Sequence, residues 1–186
     1  MALEIEKKYR LTKTQRDSVR RRLFDLGAIL QGEEFEENTL YSGNGLEVGK
    51  SVLRLRRVAN GSSLTYKKRL RKAGSIKHQH EEETKVEDPK AVNAILVALG
   101  FKPALIYEKR RETWVLQDTE IVIDELPFGR YMEIEGKERN IRAIESKLAM
   151  ANLTAEELTY PQLTLEKGKK TRGVVAARFA HAGRRR

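Results

Sequence analysis

The sequence predicts an α+β fold in which eight antiparallel strands close into a barrel, or tunnel, with a charged interior and helices on its flanks. Three observations carry that expectation. Eight segments have strand composition, most with apolar and polar residues alternating at period two. Only two segments combine helical spacing with good capping residues. The polar strand faces carry charges in doublets of one sign, which repel unless something of opposite charge lies between them.

Taken in chain order, "LEIEKKYRL" sets Leu3 and Ile5 on one face against Glu4, Glu6 and Lys8 on the other. A helix then opens at Thr12, where Gln15 three residues on completes a capping box, and Val19, Leu23 and Leu26 form its apolar stripe before Gly27. "NTLYS", "VLRLRR", "SLTYKKRL" and "EEETKVED" follow as strands, with Gly43, Gly45 and Gly61 in the breaks between them. Asp88 is a good N-cap and Pro89 suits a first helical turn, so a second helix carries Val92, Ile95, Leu96 and Leu99 to Gly100. "IYEKRRETW", "EIVIDEL" and "RYMEIEG" complete the strands, with Gly129 in the last break, and a short third helix is expected near Arg142 to Met150. The helices end alike, at "LGA" and "LGF", and each is followed by several strands. That order suggests a weak internal duplication.

The length of 186 residues fits one domain, 1–166, with a tail, 167–186. The net charge of +10 sits mostly in that tail, which has eight Lys or Arg residues and no acid; the body is nearly balanced. The tail reads as a poorly ordered, solvated extension capable of nonspecific contact with a polyanion such as RNA. No apolar run reaches membrane-span length and no signal peptide opens the chain, so a cytoplasmic protein without a membrane partner is the default expectation. The absence of cysteine excludes disulfides, thiolate catalysis and cysteine–zinc sites.

Period-two alternation collects seven acids, Glu4, Glu6, Glu81, Glu83, Asp124, Glu133 and Glu135, and six bases, Lys8, Arg54, Arg56, Lys67, Lys109 and Arg111, on the polar faces. An ordinary sheet with ion pairs on its outer face accommodates any one of these strands. Closing all of them into a tunnel turns every doublet inward, where burial demands counterions. Clustered carboxylates are hard oxygen ligands for Mg²⁺ or Mn²⁺, and clustered Arg and Lys suit phosphate oxygens. Together they describe a pocket for a metal-bound polyphosphate.

These motifs resemble the CYTH superfamily of triphosphate tunnel metalloenzymes, which takes its name from class IV adenylate cyclases and thiamine triphosphatases. "EIEKK" matches its Glu-x-Glu-x-Lys signature; "LRLR", "LTYKK", "EEETKVED", "LGF", "EKRRETW", "IDELPFGRYMEIEG" and "TYPQLTL" follow in the family's order over about residues 2 to 166. The resemblance implies metal ligands at Glu4, Glu6, Glu81, Glu83, Asp124, Glu133 and Glu135. It implies phosphate contacts at Lys8, Arg54, Arg56, Lys67, Lys109 and Arg111, and chemistry centred on Glu4, Glu6, Lys8 and Asp124. "YSGNGL", "YKKRL" and "KHQH" depart from the pattern; they bear on substrate choice, with His80 read as a loop or rim residue or a replacement phosphate contact.

The activity this implies is hydrolysis of the terminal phosphate of tripolyphosphate, thiamine triphosphate or a nucleoside triphosphate, with Mg²⁺ or Mn²⁺ as cofactor. One alternative is a class IV cyclase converting ATP to cyclic AMP and pyrophosphate. Another is a non-catalytic binder of polyphosphate, nucleotide or RNA. Trp114 and Phe128 are expected to pack beneath helices and the helix-covered barrel to be able to pair as a homodimer; the sequence does not decide whether Tyr41 and Tyr160 reach the tunnel mouth.

Overall fold

A computed structural model describes residues 2–46, 50–73, 76–149 and 152–180. Eight long strands form a closed barrel: β1 (Ala2–Leu11), β2 (Ile29–Ser42), β3 (Ser51–Val58), β4 (Gly61–Ala73), β5 (Ile76–Lys85), β6 (Lys102–Leu116), β7 (Thr119–Leu126) and β8 (Gly129–Glu135). Around the barrel they run β2-β3-β4-β5-β1-β8-β7-β6, and the β6–β2 ladder closes the ring with every pairing antiparallel. Each of the eight strand segments read from the sequence falls on one of these strands, although "EEETKVED" runs three residues past the end of β5 into the Asp88 cap of α2, and "RYMEIEG" one residue past β8. Helix α1 (Lys13–Asp25) follows β1 and α2 (Pro89–Ala98) follows β5. Strand–helix–three strands therefore occurs twice, and exchanging β1–β4 with β5–β8 leaves the order around the ring unchanged.

Local chemistry starts and stops the helices as expected. The Thr12 hydroxyl accepts from the Gln15 amide while the Gln15 side chain accepts from the Thr12 amide. Asp88 accepts from the amides of Lys90 and Ala91 ahead of α2. At the other ends Gly27 and Gly100 take φ of +75° and +88°. The following amides then reach back to Leu23 and Leu96, a turn that a side-chain-bearing residue resists. Helix α3 is Glu138–Lys147, a turn earlier than expected, and a fourth helix, α4 (Tyr160–Lys167), carries its own Thr159–Gln162 capping box.

Apolar strand faces turn outward under these helices. Tyr9, Trp114, Ile121, Ile123, Met132 and Ile134 pack against Val19 and Leu23 of α1 and Ile141 and Ile144 of α3. Leu53, Leu55 and Tyr41 pack under Leu96 of α2. Inside the barrel, Leu40, Leu105, Leu126 and Tyr131 meet Tyr160 and Leu163 of α4, which stops one end of the tunnel. Phe128 packs beside this plug, with its ring edge-on to Tyr131. Tyr41 is outside, its hydroxyl donating to Asn93 of α2 at 2.7 Å, so it does not reach the mouth.

The segment after α4 departs from a poorly ordered tail. Strands β10 (Lys169–Thr171) and β11 (Val174–Ala177) form a hairpin, and β11 pairs in parallel with Leu105–Tyr107 of β6; a two-residue strand, β9 (Thr154–Ala155), lies on β1. Beyond it Arg178 reaches Glu37 at 2.5 Å and Glu108 at 2.7 Å, so part of the tail's charge is consumed internally. Residues 181–186 lie outside the described residues. No helix among the described residues is long and apolar enough to cross a membrane.

Candidate active site

Because side chains alternate across a strand, the barrel turns one parity of each strand inward. The inward set contains every acid and base singled out from the sequence, and the register divides them into an inner group rich in bases and an acidic mouth.

The inner group lines a cavity of about 100 Å³ above the α4 plug, which Glu4, Glu6, Lys67, Glu120 and Glu135 also border. Lys8, almost completely buried, lies 3.2 Å from Glu133, donates to the Leu158 carbonyl at 3.2 Å and sits 3.7 Å from the Tyr160 ring centroid. Arg111 forks onto Asp124 at 2.8 and 2.6 Å and reaches Glu133 at 2.9 Å. Asp124, fully buried, also accepts from the Tyr160 hydroxyl at 2.8 Å and lies 3.5 Å from Lys109. Burial alone would raise the Asp124 carboxyl, but Arg111 and Lys109 hold it far below the usual carboxylate range. Burial pushes the Lys109 ammonium down to about 8, assisted by Arg111 and opposed by Asp124 and Glu36. Arg54 donates to Thr65 at 3.2 Å, yet its buried Nε, like that of Arg56, has no hydrogen-bond partner. Both side chains line the cavity, and the Arg56 Nε lies 3.4 Å from the Glu36 carboxylate.

The mouth is an open basin of about 460 Å³, lined among the described residues by Glu4, Arg56, Lys67, Glu81, Glu82, Glu83, Arg111, Glu120 and Glu135. Lys67 donates to both Glu4 oxygens at 2.9 and 2.6 Å and stands 2.6 Å from Glu81. Gln79 donates to Glu4 at 3.0 Å, and Lys77 lies 3.4 Å from Glu6. Glu83 accepts from Thr65 at 2.6 Å, so Glu81 and Glu83, not Glu82, share the inward face with Lys67.

Negative charge is in excess here. Burial, then the carboxylates of Glu120, Glu6 and Glu81, push Glu135 up to about 7 against the pull of Lys67. Burial and Glu81 likewise push Glu4 up. A basin of hard oxygen donors short of positive charge fits a divalent cation. Among the described residues no three such side chains already form a metal cage, because Lys67 occupies the space between Glu4 and Glu81. Asp124 and Glu133, read from the resemblance as metal ligands, lie against Arg111, Lys109, Lys8 and Tyr160.

Several inward residues were not singled out from the sequence. Glu36 and Asn38 are wholly buried in β2; Lys77 and Gln79 come from β5, and Glu120 stands directly across from Glu135. Counting by twos from Leu40, Glu81 or Val122 reaches all of them. His80 has the opposite parity, paired with Leu3 and Lys68, and does not face the tunnel. Tyr160 is inside, but at the stopped end rather than the mouth.

The CYTH domain model matches residues 2–168. No curated protein matches the sequence. Among solved structures, the chain is similar to the PH1012 protein of Pyrococcus horikoshii, with TM-score 0.74 and 24% identity over 84% of this chain and 96% of that one. It is also similar to HpAC1 of Hippeastrum, described as a proposed adenylyl cyclase that reveals a dominant triphosphatase activity, with TM-score 0.67 and 16% identity over 94% and 100% of the two chains. A third likeness, to a protein of Vibrio parahaemolyticus described as a proposed adenylate cyclase, has TM-score 0.66 and 19% identity over 87% and 97%. At these identities the likenesses speak for the fold alone; with the family match over nearly the whole length, they establish that the chain belongs to the CYTH family.

Proposed function

We propose that the protein is a divalent-metal-dependent triphosphatase that removes the terminal phosphate of a linear triphosphate, with inorganic tripolyphosphate the best fit. The observation that carries this reading is the tunnel's division into a stopped, base-lined inner end and a carboxylate mouth. Phosphoryl transfer asks a protein mainly for position and charge neutralisation. Lys8, Arg54, Arg56, Lys109 and Arg111 come from three different strands, β1, β3 and β6, and all five line the cavity, so a bound phosphate chain is gripped from several sides. Asp124 and Glu133 hold Arg111, Lys109 and Lys8 in place. Tyr160 fills the end of the tunnel and keeps water out behind the phosphate.

Glu4, Glu6, Glu81 and Glu135 would hold Mg²⁺ or Mn²⁺ in the mouth, Lys67 moving from between the carboxylates onto phosphate. An ion held there supplies Lewis-acid charge to the phosphate oxygens and relieves the carboxylate excess. The mouth's described lining is charged throughout, without an aromatic or apolar surface to hold adenine or thiazolium. That lining favours tripolyphosphate over thiamine triphosphate or ATP, and hydrolysis over cyclisation, which requires an oriented ribose.

The test is product analysis with Mg²⁺ or Mn²⁺ and, separately, tripolyphosphate, thiamine triphosphate and ATP. Orthophosphate from tripolyphosphate supports the reading. Cyclic AMP with matching pyrophosphate from ATP would make the protein a cyclase. Tight binding without turnover would make it a polyphosphate or nucleotide binder.

A further inference from the structure

Glu36 is completely buried on the inner face of β2, with bases on both sides. Its carboxylate lies 3.3 Å from Lys109 and 3.7 Å from Arg111 of β6, and 3.4 Å from Arg56 of β3. The Asn38 amide donates to its Oε2 at 3.1 Å and fixes its orientation, while Oε1 accepts no hydrogen bond and meets the bases by charge alone. Arg111 has Asp124 and Glu133 as further anchors, and Lys109 has Asp124. Among the described residues, Glu36 is the ion-pair partner of Arg56.

We propose that Glu36 is a positioning residue for the phosphate site: it ties the β3 base Arg56 to the β6 bases Lys109 and Arg111 across β2, so that all three address one phosphate. The inference rests on the triphosphate-site reading above. Without Glu36 the three like charges repel across the wall, and each long side chain must be ordered by the substrate instead of before it arrives. A carboxylate among phosphate-binding bases also competes with phosphate for them, so neutralising it has two opposed consequences. Ordering dominates here because Glu36 belongs to the wall, fully enclosed and oriented by Asn38, rather than projecting into the cavity where a phosphate would lie.

The experiment compares wild type, Glu36→Gln and Glu36→Asp in Mn²⁺-dependent tripolyphosphate hydrolysis and in calorimetric binding of tripolyphosphate, with circular dichroism to confirm folding. The amide preserves shape and removes charge; it should raise KM about tenfold or more, with a smaller fall in kcat, and weaken binding in parallel. The shorter aspartate keeps the charge and should recover part of the loss, which a merely structural role would not produce; it also serves if the amide variant does not fold. Unchanged KM in folded Glu36→Gln, or tighter tripolyphosphate binding by it, overturns the inference while leaving the triphosphate site in place. Wild-type protein that binds no tripolyphosphate overturns both.

Discussion

Arg54 and Lys68 show how much one step along a strand decides. Arg54 is buried in the tunnel with an unpartnered Nε, whereas Lys68 is exposed on the outer face, next to inward Lys67. Arg54→Ala should raise KM for a triphosphate by about 10- to 100-fold, since a charge-assisted hydrogen bond contributes roughly 1.5–3 kcal/mol. Lys68→Ala should leave KM unchanged, and steady-state kinetics on the pair reads the parity directly. Period-two counting found the tunnel residues wherever a strand also had a clear apolar face. It missed Glu36 because the stretch that contains it, "ILQGEEFEE", has few apolar residues and is offset by a register shift between Leu30 and Gly32. It left out Glu120 although Asp124 and Val122 had already fixed that strand's inward face. Which carboxylates meet a base and which meet one another depends on cross-strand register, which no single segment contains. That Arg111 lies against Asp124 is one such fact of register.

At the level of elements, the first two helices were legible because caps and glycines act locally. Thr12→Ala should cost about 1 kcal/mol, and Leu23→Ala, which empties a completely buried site under α1, roughly 2–5 kcal/mol in urea unfolding. The cap at Asp88 gives a pH signature. Hydrogen bonds from Ala91 and Lys90 hold its carboxyl below the usual value, so it binds protons less readily folded than unfolded. Its stabilisation is therefore full above the ordinary carboxylate range and is lost as pH falls through its depressed pKa. The stability difference between wild type and Asp88→Ala should be constant near neutral pH and shrink in acid; a difference that grows in acid would contradict the assignment. Helix α4 went unread because its eight residues show little periodicity, and its burial comes from lodging in the barrel end rather than on an outer face.

The molecule as a whole joins two similar halves into one ring, and the chain after α4 secures the plug. Strand β11 covers the part of the β6 edge that the shorter β7 leaves open, at Leu105–Tyr107, and Phe179 donates its amide to Glu108 at 2.8 Å. Composition alone suggested a solvated tail because its basic residues outweigh the short apolar pair Val174 and Val175; the β6 edge that receives them is invisible in sequence. Removing residues 168–186 should lower the melting temperature measurably and loosen the plug, raising KM for tripolyphosphate. An unchanged melting temperature would show that the hairpin contributes nothing to the barrel.

The most direct measurement is orthophosphate release from tripolyphosphate with Mn²⁺, followed beside ATP in wild type and Glu6→Gln. Glu6 lies in the tunnel wall on the alternation that first marked the site, and in the proposed metal set. The account predicts phosphate release by the wild type, a higher kcat/KM for tripolyphosphate than for ATP, and a loss of about 100-fold or more in the variant. Equal activity in wild type and Glu6→Gln would contradict it, as would cyclic AMP appearing as the main product from ATP.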